Sequence, residues 1–458
     1  VMIKTIVKRF KMTSMKPSIP VSESVSSVDM EIGSSWTDSN TSISSTNSYE
    51  AMVKVIQTKP RFHSIKDAIH NKILNLRAEG RVDERSFYIC DIGEIRRQLN
   101  LWKSELPFIK PYYAVKCNPN EEFIKNMISI EPEMGFDCAS LAEIETILRI
   151  NRFINRDNLI YANPIKPISQ LRYANNNDVN LTTIDSIEEV EKIANFTDGK
   201  MKVLIRIQTD DSSATCPLSV KFGANLQYSE KIVKKCIQLG VQIRGVAFHV
   251  GSGFKDSNTL GKAVDDSYKV IEIIEKNQGN KCDIIDVGGG FSKDSFKESA
   301  KILRKEMEFK FGKLISNGEI KVISELGRFL SASCFTLVSN VIGTREEIGG
   351  GKTRVYLNDG LYGNLNCILY DHQEVEPIVI TSNGEFVYQE SKSNDKKLYS
   401  IWGPTCDGLD CISKRVELNY DIKCGDFIGF ENCGAYTNAA ATKFNGFTNE
   451  FDYEFIES

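Results

Sequence analysis

Eight short apolar runs, separated by longer amphipathic stretches, constrain the fold of this 458-residue chain more than any other feature of its sequence. The runs have the length of buried β-strands, and they are Tyr113–Lys116, Gly135–Ala139, Leu159–Asn163, Leu181–Ile184, Val203–Ile207, Gly245–Val250, Ile284–Gly288 and Val322–Glu325. Helical spacing of apolar residues marks the stretches Glu121–Ile130, Leu141–Ile150, Ile187–Phe196, Glu230–Leu239, Leu260–Lys276 and Phe296–Ile315. This alternation predicts an α/β fold, a (β/α)8 TIM-like barrel. A doubly wound open sheet is the alternative, and the count of eight strands favours closure.

The periodicity changes on both sides of the predicted barrel. Before it, Ile65–Leu76 has helical spacing and Ser86–Ile92 is strand-like. After about Ser331 the helical period largely disappears and turns containing Gly and Asn join five strand-like runs, namely Phe335–Val341, Arg354–Asn358, Ile378–Thr381, Lys397–Ile401 and Phe427–Glu431. We therefore predict four regions: a disordered tail 1–58, a helix and strand 59–91 that pack with the β domain, the barrel 92–331, and a mostly β C-terminal domain 332–458.

The predicted N-terminal tail is rich in Ser, Thr and Asn from Val21 to Ser48, with few large apolar residues. Its first part, Val1–Val21, carries basic residues and no acid, so an organelle-targeting segment is an alternative. Pro17 and Pro20 would break an amphipathic helix there, which favours a disordered basic tail.

Composition excludes several classes of protein. The net charge of −4 gives no reason to expect nucleic acid or a membrane as a partner, and no run approaches the ~20 apolar residues that span a bilayer. The 12 cysteines are scattered, without a CxxC pair or a Cys/His cluster at zinc spacing, so no metal is predicted. Without a secretory signal, they are expected to be reduced thiols in a cytoplasmic protein.

Reactive residues lie within or at the ends of the predicted barrel strands, and β/α barrels carry their chemistry at the carboxyl ends of the strands. They are Lys116, Asp137, Arg206, His249, Gly288–Gly290, Glu325 and Arg328. Each alone has an ordinary interpretation: a lysine at a strand edge, a tight glycine turn, a buried core histidine. Together they provide an amine for a Schiff base, a glycine turn and a guanidinium for a phosphate, a flat ring to stack, and a carboxylate for a pyridine nitrogen. These are the groups that a pyridoxal 5'-phosphate enzyme supplies.

From about Arg61 onward the chain resembles the eukaryotic ornithine decarboxylases, which belong to the alanine-racemase-like barrel type. The resemblance rests on the motifs YAVKCN, GFDCAS, YANPIK, LSVKFGA, FHVGSG, DVGGGF, YGNLNCILYDH, WGPTCDGLD and GAYT. It implies decarboxylation of L-ornithine to putrescine and CO2, the first step of polyamine synthesis. It also implies that Lys116 forms the Schiff base, Glu325 pairs with the pyridine nitrogen and His249 stacks on the ring.

The resemblance assigns further residues to the cofactor and the substrate. Phosphate would be held by Ser252, Gly288, Gly289, Gly290, Arg328 and Tyr436, and Asp137, Glu143 and Arg206 would surround the lysine. Cys406 would return a proton to the α-carbon. Substrate-binding residues would be Tyr370, Asp371, Asp407 and Phe444, with the two aspartates facing the distal ammonium. In the family Cys406 and Asp407 reach into the partner's site, which implies a homodimer with composite sites.

Two alternatives stay open at this point. Another basic amino acid, lysine or arginine, is one, since a single methylene is discriminated by only ~1–3 kcal/mol. The other is a non-catalytic relative that binds the inhibitor protein antizyme. Such a protein would be expected to have lost cofactor residues, yet Lys116, His249, Glu325, Arg328 and Cys406 are all present.

Overall fold

The computed structural model describes residues 62–390 and 396–458. The predicted tail 1–58 therefore lies outside the described residues. The strands are β1 Phe87–Asp91, β2 Ile109–Ala114, β3 Gly135–Cys138, β4 Leu159–Tyr161, β5 Leu181–Ile184, β6 Lys202–Arg206, β7 Ala214–Cys216, β8 Ile243–Ala247, β9 Ser252–Phe254, β10 Ile284–Asp286, β11 Lys321–Leu326, β12 Phe335–Glu346, β13 Thr353–Leu357, β14 Pro377–Val379, β15 Thr381–Ser382, β16 Glu385–Phe386, β17 Lys397–Trp402, β18 Cys411–Leu418, β19 Phe427–Phe430 and β20 Asp452–Ile456.

The helices fall mainly between the strands of the first half of the chain. They are Ile65–Glu79, Ile92–Glu105, Glu121–Ile130, Leu141–Ile150, Ile168–Asn176, Ile187–Phe196, Leu226–Leu239, Asn258–Gln278, Phe296–Ser316, Arg328–Ser331 and Cys367–Tyr370. Several begin at a side-chain cap, as where Ser140 accepts a hydrogen bond from Glu143 N and Ser186 from Glu189 N. None of the helices in the described residues is both long enough and apolar enough to span a membrane.

The predicted closed barrel is confirmed. Its eight parallel strands run in the order β2-β3-β4-β5-β6-β8-β10-β11 and close between β11 and β2. Inward-facing side chains, among them Tyr112, Ile160, Leu204 and Ile323, fill the interior as a fully buried cluster. The barrel is therefore a packed core, and a site can form only at the ends of its strands and in the loops that follow them.

Several predicted element boundaries were wrong by a few residues. β2 ends at Ala114, so Lys116 lies in the 3₁₀ turn Val115–Cys117 beyond it. His249 lies two residues past the end of β8. Helix Ile168–Asn176 and helix Ile92–Glu105 were not predicted.

The second, mostly β domain is also confirmed. Its sheet has the order β14-β19-β12-β13-β17-β18, with β1 paired to β12 and to β20. Strand β1 runs antiparallel to β12 and parallel to β20, with Phe87 opposite Val338 and Asp452 respectively. Strands β18 and β20 were not predicted. The sheet thus joins a strand that precedes the barrel to strands that follow it.

The barrel and the sheet share one hydrophobic core within the compact unit 57–458. Trp102 packs against Phe296 and Phe329, with ring centroids 5.3 and 5.7 Å away. Tyr436 N donates a hydrogen bond of 2.9 Å to the carbonyl oxygen of Cys117. The second domain is therefore fastened directly to the turn that carries Lys116. All 12 cysteines are free thiols.

Candidate active site

Lys116 is the only lysine of the described residues that lines the cavity at the carboxyl ends of the barrel strands. Its Nζ lies 2.6 Å from Asp137 Oδ2, and the Asp137 side chain is fully buried whereas that of Lys116 is 38% exposed. Burial opposes protonation of the amine, but the Asp137 and Glu325 carboxylates outweigh it and raise the pKa of Lys116 above its usual range. Lys116 is thus held as a cation that points into the cavity.

A pair of carboxyl side chains, one of which lines this cavity, lies at the ends of two neighbouring strands. Glu325 near the end of β11 adjoins Asp286, the last residue of β10. Burial raises the pKa of Asp286 well above its ordinary value and also raises that of Glu325, and the neighbouring carboxyl adds to the shift of Asp286. One proton shared between the two carboxyls is therefore favoured. Asp286 was not predicted as a site residue, although its place just before the glycine turn was a usable signal.

Two buried oxygens at this site receive no hydrogen bond from a permanent donor. Among the residues that the structure describes, Asp137 Oδ1 and Asp286 Oδ2 accept none from an N–H or hydroxyl group, which leaves the proton shared with Glu325 as the available donor to Asp286. A buried acceptor without a donor is costly, and active sites are a common place to find one. The floor of the cavity therefore retains capacity for a polar or cationic group.

The turn Gly288–Gly290 forms part of the cavity wall, and its backbone leaves no room for residues with a side chain. Gly288 has φ of 65° and Gly290 has φ of 93°. An added Cβ would lie 2.1 Å from the Phe248 carbonyl oxygen at Gly288 and 2.1 Å from that of Gly251 at Gly290. The turn therefore presents backbone alone, which is the surface that cradles a phosphate.

His249 is a neutral ring beside the same turn. Its Nδ1 accepts a 3.0 Å hydrogen bond from Gly251 N, which leaves the proton on Nε2. Burial, with the charges of Arg206 and Lys116, holds the pKa of His249 well below its usual value. The guanidinium of Arg206 lies 5.4 Å from the centre of the Phe222 ring.

Arg328 begins the short helix after β11 and joins two parts of the site. Its guanidinium lies 5.3 Å from the centre of the Tyr436 ring and forms an ion pair with Asp371. The cavity is lined by Ala114, Lys116, His249, Ser252, Gly290, Glu325, Gly327, Arg328 and Tyr436. Seven of the eleven predicted cofactor residues thus line one cavity, and Asp371 reaches it through Arg328. The other four, which do not line it themselves, are Asp137, Arg206, Gly288 and Gly289.

The other predicted substrate residues form a separate group. Asp407 accepts a hydrogen bond from the Tyr362 hydroxyl, and the Tyr362 and Phe444 rings stack at 4.4 Å. Cys406 is exposed and its N–H donates to Asn445 Oδ1 at 2.9 Å. Tyr370 is 66% exposed. Within the described chain none of these side chains lines the cavity of Lys116, so the role predicted for Phe444 beside the pocket of Asp371 stays a prediction.

Asp410 fixes the loop that carries Cys406 and Asp407. Its buried carboxylate accepts hydrogen bonds from Leu361 N at 2.8 Å, from Thr405 N at 3.0 Å and from Thr405 Oγ1 at 2.7 Å. The anchored loop then meets Tyr362, which, like Asp410, was not predicted as a site residue. The group made of Tyr362, Cys406, Asp407 and Phe444 is called the loop cluster below.

Glu143 makes the fold sensitive to pH. Burial raises the pKa of its carboxyl to about 7, although Ala139 N donates to it at 2.6 Å. Because the ordinary value is 4.5, ionisation of Glu143 opposes folding increasingly as pH rises from about 4.5 to about 7. We expect Glu143→Gln to reduce the fall in Tm between pH 5 and pH 8, measured by thermal unfolding. Glu122→Gln, at a side chain that is 54% exposed, is the control; an equal fall in both variants would contradict the expectation.

Comparison with known proteins places the chain among decarboxylases and their relatives. Residues 92–332 match the family described as pyridoxal-dependent decarboxylase, pyridoxal binding domain. Ornithine decarboxylase of Saccharomyces cerevisiae is 43% identical over 392 residues, which cover 82% of each protein. Antizyme inhibitor 2 of Xenopus laevis is 38% identical over 382 residues, 80% of each. The solved arginine decarboxylase of Paramecium bursaria Chlorella virus, bound to agmatine, has a TM-score of 0.77 and 28% identity, covering 86% of this chain and 100% of that one.

Proposed function

The chain belongs to the family of pyridoxal-dependent decarboxylases, and from this premise we propose that it converts L-ornithine to putrescine and CO2. One observation carries the proposal: Lys116, the Gly288–Gly290 turn, Arg328 and Glu325 meet at a single cavity of the barrel. Relatives that are about 40% identical over most of the chain carry the name ornithine decarboxylase.

The residues of the cavity fit pyridoxal phosphate. Lys116 would supply the amine for its aldehyde. The bare backbone of the glycine turn and Ser252 would hold its phosphate, together with Arg328 and Tyr436. When bound, the cofactor supplies an electron sink for the negative charge left on the α-carbon as CO2 departs. We assign the pyridine nitrogen to Glu325 and one ring face to His249.

The chain's own charges suit this arrangement. The Asp137 carboxylate keeps the Lys116 amine protonated and oriented, so this pair can hold a proton at Nζ. His249 is neutral because burial and two nearby cations oppose its protonation, so it offers a flat face without adding charge. Arg206 supplies one of those cations. The carboxyl of Glu325 shares a proton with Asp286, which prepares it to hydrogen-bond a ring nitrogen.

Two aspartates select the substrate in this proposal. Asp371 and Asp407 face the distal ammonium of a diamino acid, and Cys406 returns a proton to the α-carbon. A bare ammonium between carboxylates is a charge-assisted pairing. Tyr370 and Phe444 border the same region. Lysine is one methylene longer than ornithine, so slower turnover of lysine is expected.

The direct test is an assay of the purified protein with pyridoxal phosphate and ornithine, lysine or arginine separately, following CO2 and the diamine. We expect putrescine from ornithine well ahead of the products from lysine and arginine. Equal or faster turnover of another amino acid would reassign the substrate. If no amino acid were turned over, no Schiff-base absorbance appeared and the protein bound antizyme, the non-catalytic alternative would be favoured. The similarity to antizyme inhibitor 2 is the observation behind that alternative.

We further propose a homodimer in which the loop cluster of one subunit completes the cavity of the other. Support comes from the exposure of this cluster: Phe444 is 42% and Leu409 is 55% exposed, next to the carboxylate of Asp407. Apolar side chains exposed beside a functional carboxylate are typical of a surface covered in an assembly. Asp410 holds the loop in place for such a contact.

The shared site predicts complementation between inactive subunits. Asp407→Ala and Lys116→Ala should each lose most activity, while an equimolar mixture should regain about a quarter of wild-type putrescine release. Random pairing makes half of the dimers hybrids, each with one intact site of two. Lys116→Ala mixed with Glu325→Gln is the control, because both residues line the same cavity and no rescue is expected. Absence of rescue in the first mixture would contradict a shared site.

The predictions of cellular location and of domain boundaries stay proposals. We propose a cytoplasmic location, which the free state of all 12 cysteines supports. We also retain the regions 59–91, 92–331 and 332–458, which the pairing of β1 with β12 and β20 supports for the first of them.

A further inference from the structure

A left-handed turn brings two side chains together beside Arg328. After helix Cys367–Tyr370, the N–H groups of Asp371 and Gln373 both donate to the carbonyl oxygen of Cys367, at 3.1 Å each. The residue between them, His372, has φ of 53° and is exposed. This local reversal turns the side chains of Asp371 and Gln373 to the same side of the chain.

The two oxygens of the Asp371 carboxylate have different surroundings. Oδ2 accepts a hydrogen bond of 2.7 Å from Gln373 Nε2 and also the ion pair from Arg328. Among the residues that the structure describes, the one hydrogen bond to Oδ1 comes from the Cys216 sulfur, at 3.8 Å, and a thiol is a weak donor. The side chain is 10% exposed. Oδ2 is therefore fully used, while Oδ1 is the oxygen with capacity for another strong donor.

Gln373 and Arg328 act differently on this carboxylate. Burial raises the pKa of Asp371 and the Arg328 charge opposes that rise, so the ion pair sustains the ionised form. One ion pair leaves the carboxylate plane free to rotate, whereas a second donor on the same oxygen fixes it. The amide of Gln373 provides that second donor without adding charge, so the carboxylate keeps its attraction for a cation.

We propose that Gln373 is a positioning residue that aims Asp371 Oδ1 at the distal ammonium of the diamino-acid substrate. The inference rests on the proposed function, in which Asp371 binds that ammonium. Gln373 is neutral and was not among the predicted site residues, but in this proposal it contributes to the affinity for the substrate. It places the effect on binding and leaves the chemistry at Lys116 unchanged.

Two substitutions separate the hydrogen bond from simple packing. Gln373→Ala removes the amide and its bulk, whereas Gln373→Met keeps the length and removes only the donor. With the holoenzyme and ornithine, we expect both variants to raise KM about tenfold, the order of a lost hydrogen bond to a charged group, with kcat within about twofold of wild type. The dissociation constant of putrescine, measured by calorimetry on the same holoenzyme, should rise by a similar factor.

The control is Gln238→Ala, an exposed glutamine near the end of helix Leu226–Leu239, which should leave both constants at wild-type values. Wild-type KM in Gln373→Met would overturn the inference, because packing alone would then explain the alanine variant. A fall in kcat at unchanged KM would also overturn it. If the wild-type protein turned over no diamino acid, the proposed function would fail, while the putrescine affinities would still decide the role of Gln373.

Discussion

Lys116→Ala is expected to reduce the rate of ornithine decarboxylation by at least about a thousandfold, the scale on which essential nucleophiles and proton-transfer groups act. Lys116 is the amine that lines the cavity, and its Nζ is held by the fully buried Asp137. Removal of the amine also removes the covalent attachment point for the cofactor. The absorbance of the Schiff base on adding pyridoxal phosphate should therefore disappear together with the release of putrescine.

Lys116→Arg distinguishes loss of the nucleophile from loss of the charge. A guanidinium stays protonated and can pair with Asp137, but it cannot form the Schiff base. We expect this variant to be as inactive as Lys116→Ala while its Tm stays closer to that of the wild type. Lys305→Ala, at a side chain that is 80% exposed, serves as the control with unchanged activity. Activity above about a tenth of wild type in Lys116→Arg would contradict the assignment of Lys116.

Glu325→Gln is expected to change activity and stability in opposite directions. The substitution removes the group assigned to the pyridine nitrogen, so kcat should fall about a hundredfold to a thousandfold, as for other buried electrostatic groups. It also removes one carboxyl of a buried pair, since Glu325 and Asp286 are both buried and adjoin each other. Both carboxyls have raised pKa values, so their ionisation opposes folding as pH rises above the ordinary range of such groups. The Tm at pH 8 should accordingly exceed that of the wild type.

Asp286→Asn and Glu133→Gln complete this test. Asp286→Asn relieves the same pair but leaves Glu325 in place, so we expect a similar gain in Tm at pH 8 and a smaller loss of kcat. Glu133 is 74% exposed, and its substitution should change neither quantity. A fall in Tm at pH 8 in Glu325→Gln, measured by thermal unfolding, would contradict the view that ionisation of this carboxyl pair opposes folding.

Much of the site follows from the positions of residues along the chain. Lys116, Glu325 and the glycine turn stand just after or within apolar runs, and parallel strands in a barrel all end at the same face. Their convergence could therefore be predicted from the order of strands and helices, and so could the closed barrel. The resemblance of the motifs added roles that residue type and spacing alone leave open.

Other contacts depend on pairings between distant segments. Strand β20 joins the sheet beside β1, although the whole barrel lies between Asp91 and Asp452 along the chain, and no periodic pattern in either segment specifies the other. Tyr362 and Asp410 were missed for the same reason. The Tyr362 hydroxyl bonds to Asp407, and Asp410 accepts a hydrogen bond from Leu361 N, so each contact joins segments of the second domain that are far apart in the chain. The placement of Phe444 away from the Lys116 cavity of its own chain likewise depends on that domain.

The amino-acid order alone was enough to predict which runs form the buried barrel strands and near which strand ends the reactive groups stand, because apolar periodicity and strand order are local properties of a chain. Which strand ends become neighbours, and how their charges combine, was settled by folding. The pairing of β10 with β11 places Glu325 beside Asp286, and the left-handed turn at His372 joins Gln373 and Arg328 on one oxygen of Asp371. These effects act through distances of a few ångströms between side chains, and such distances exist only after the chain has closed on itself.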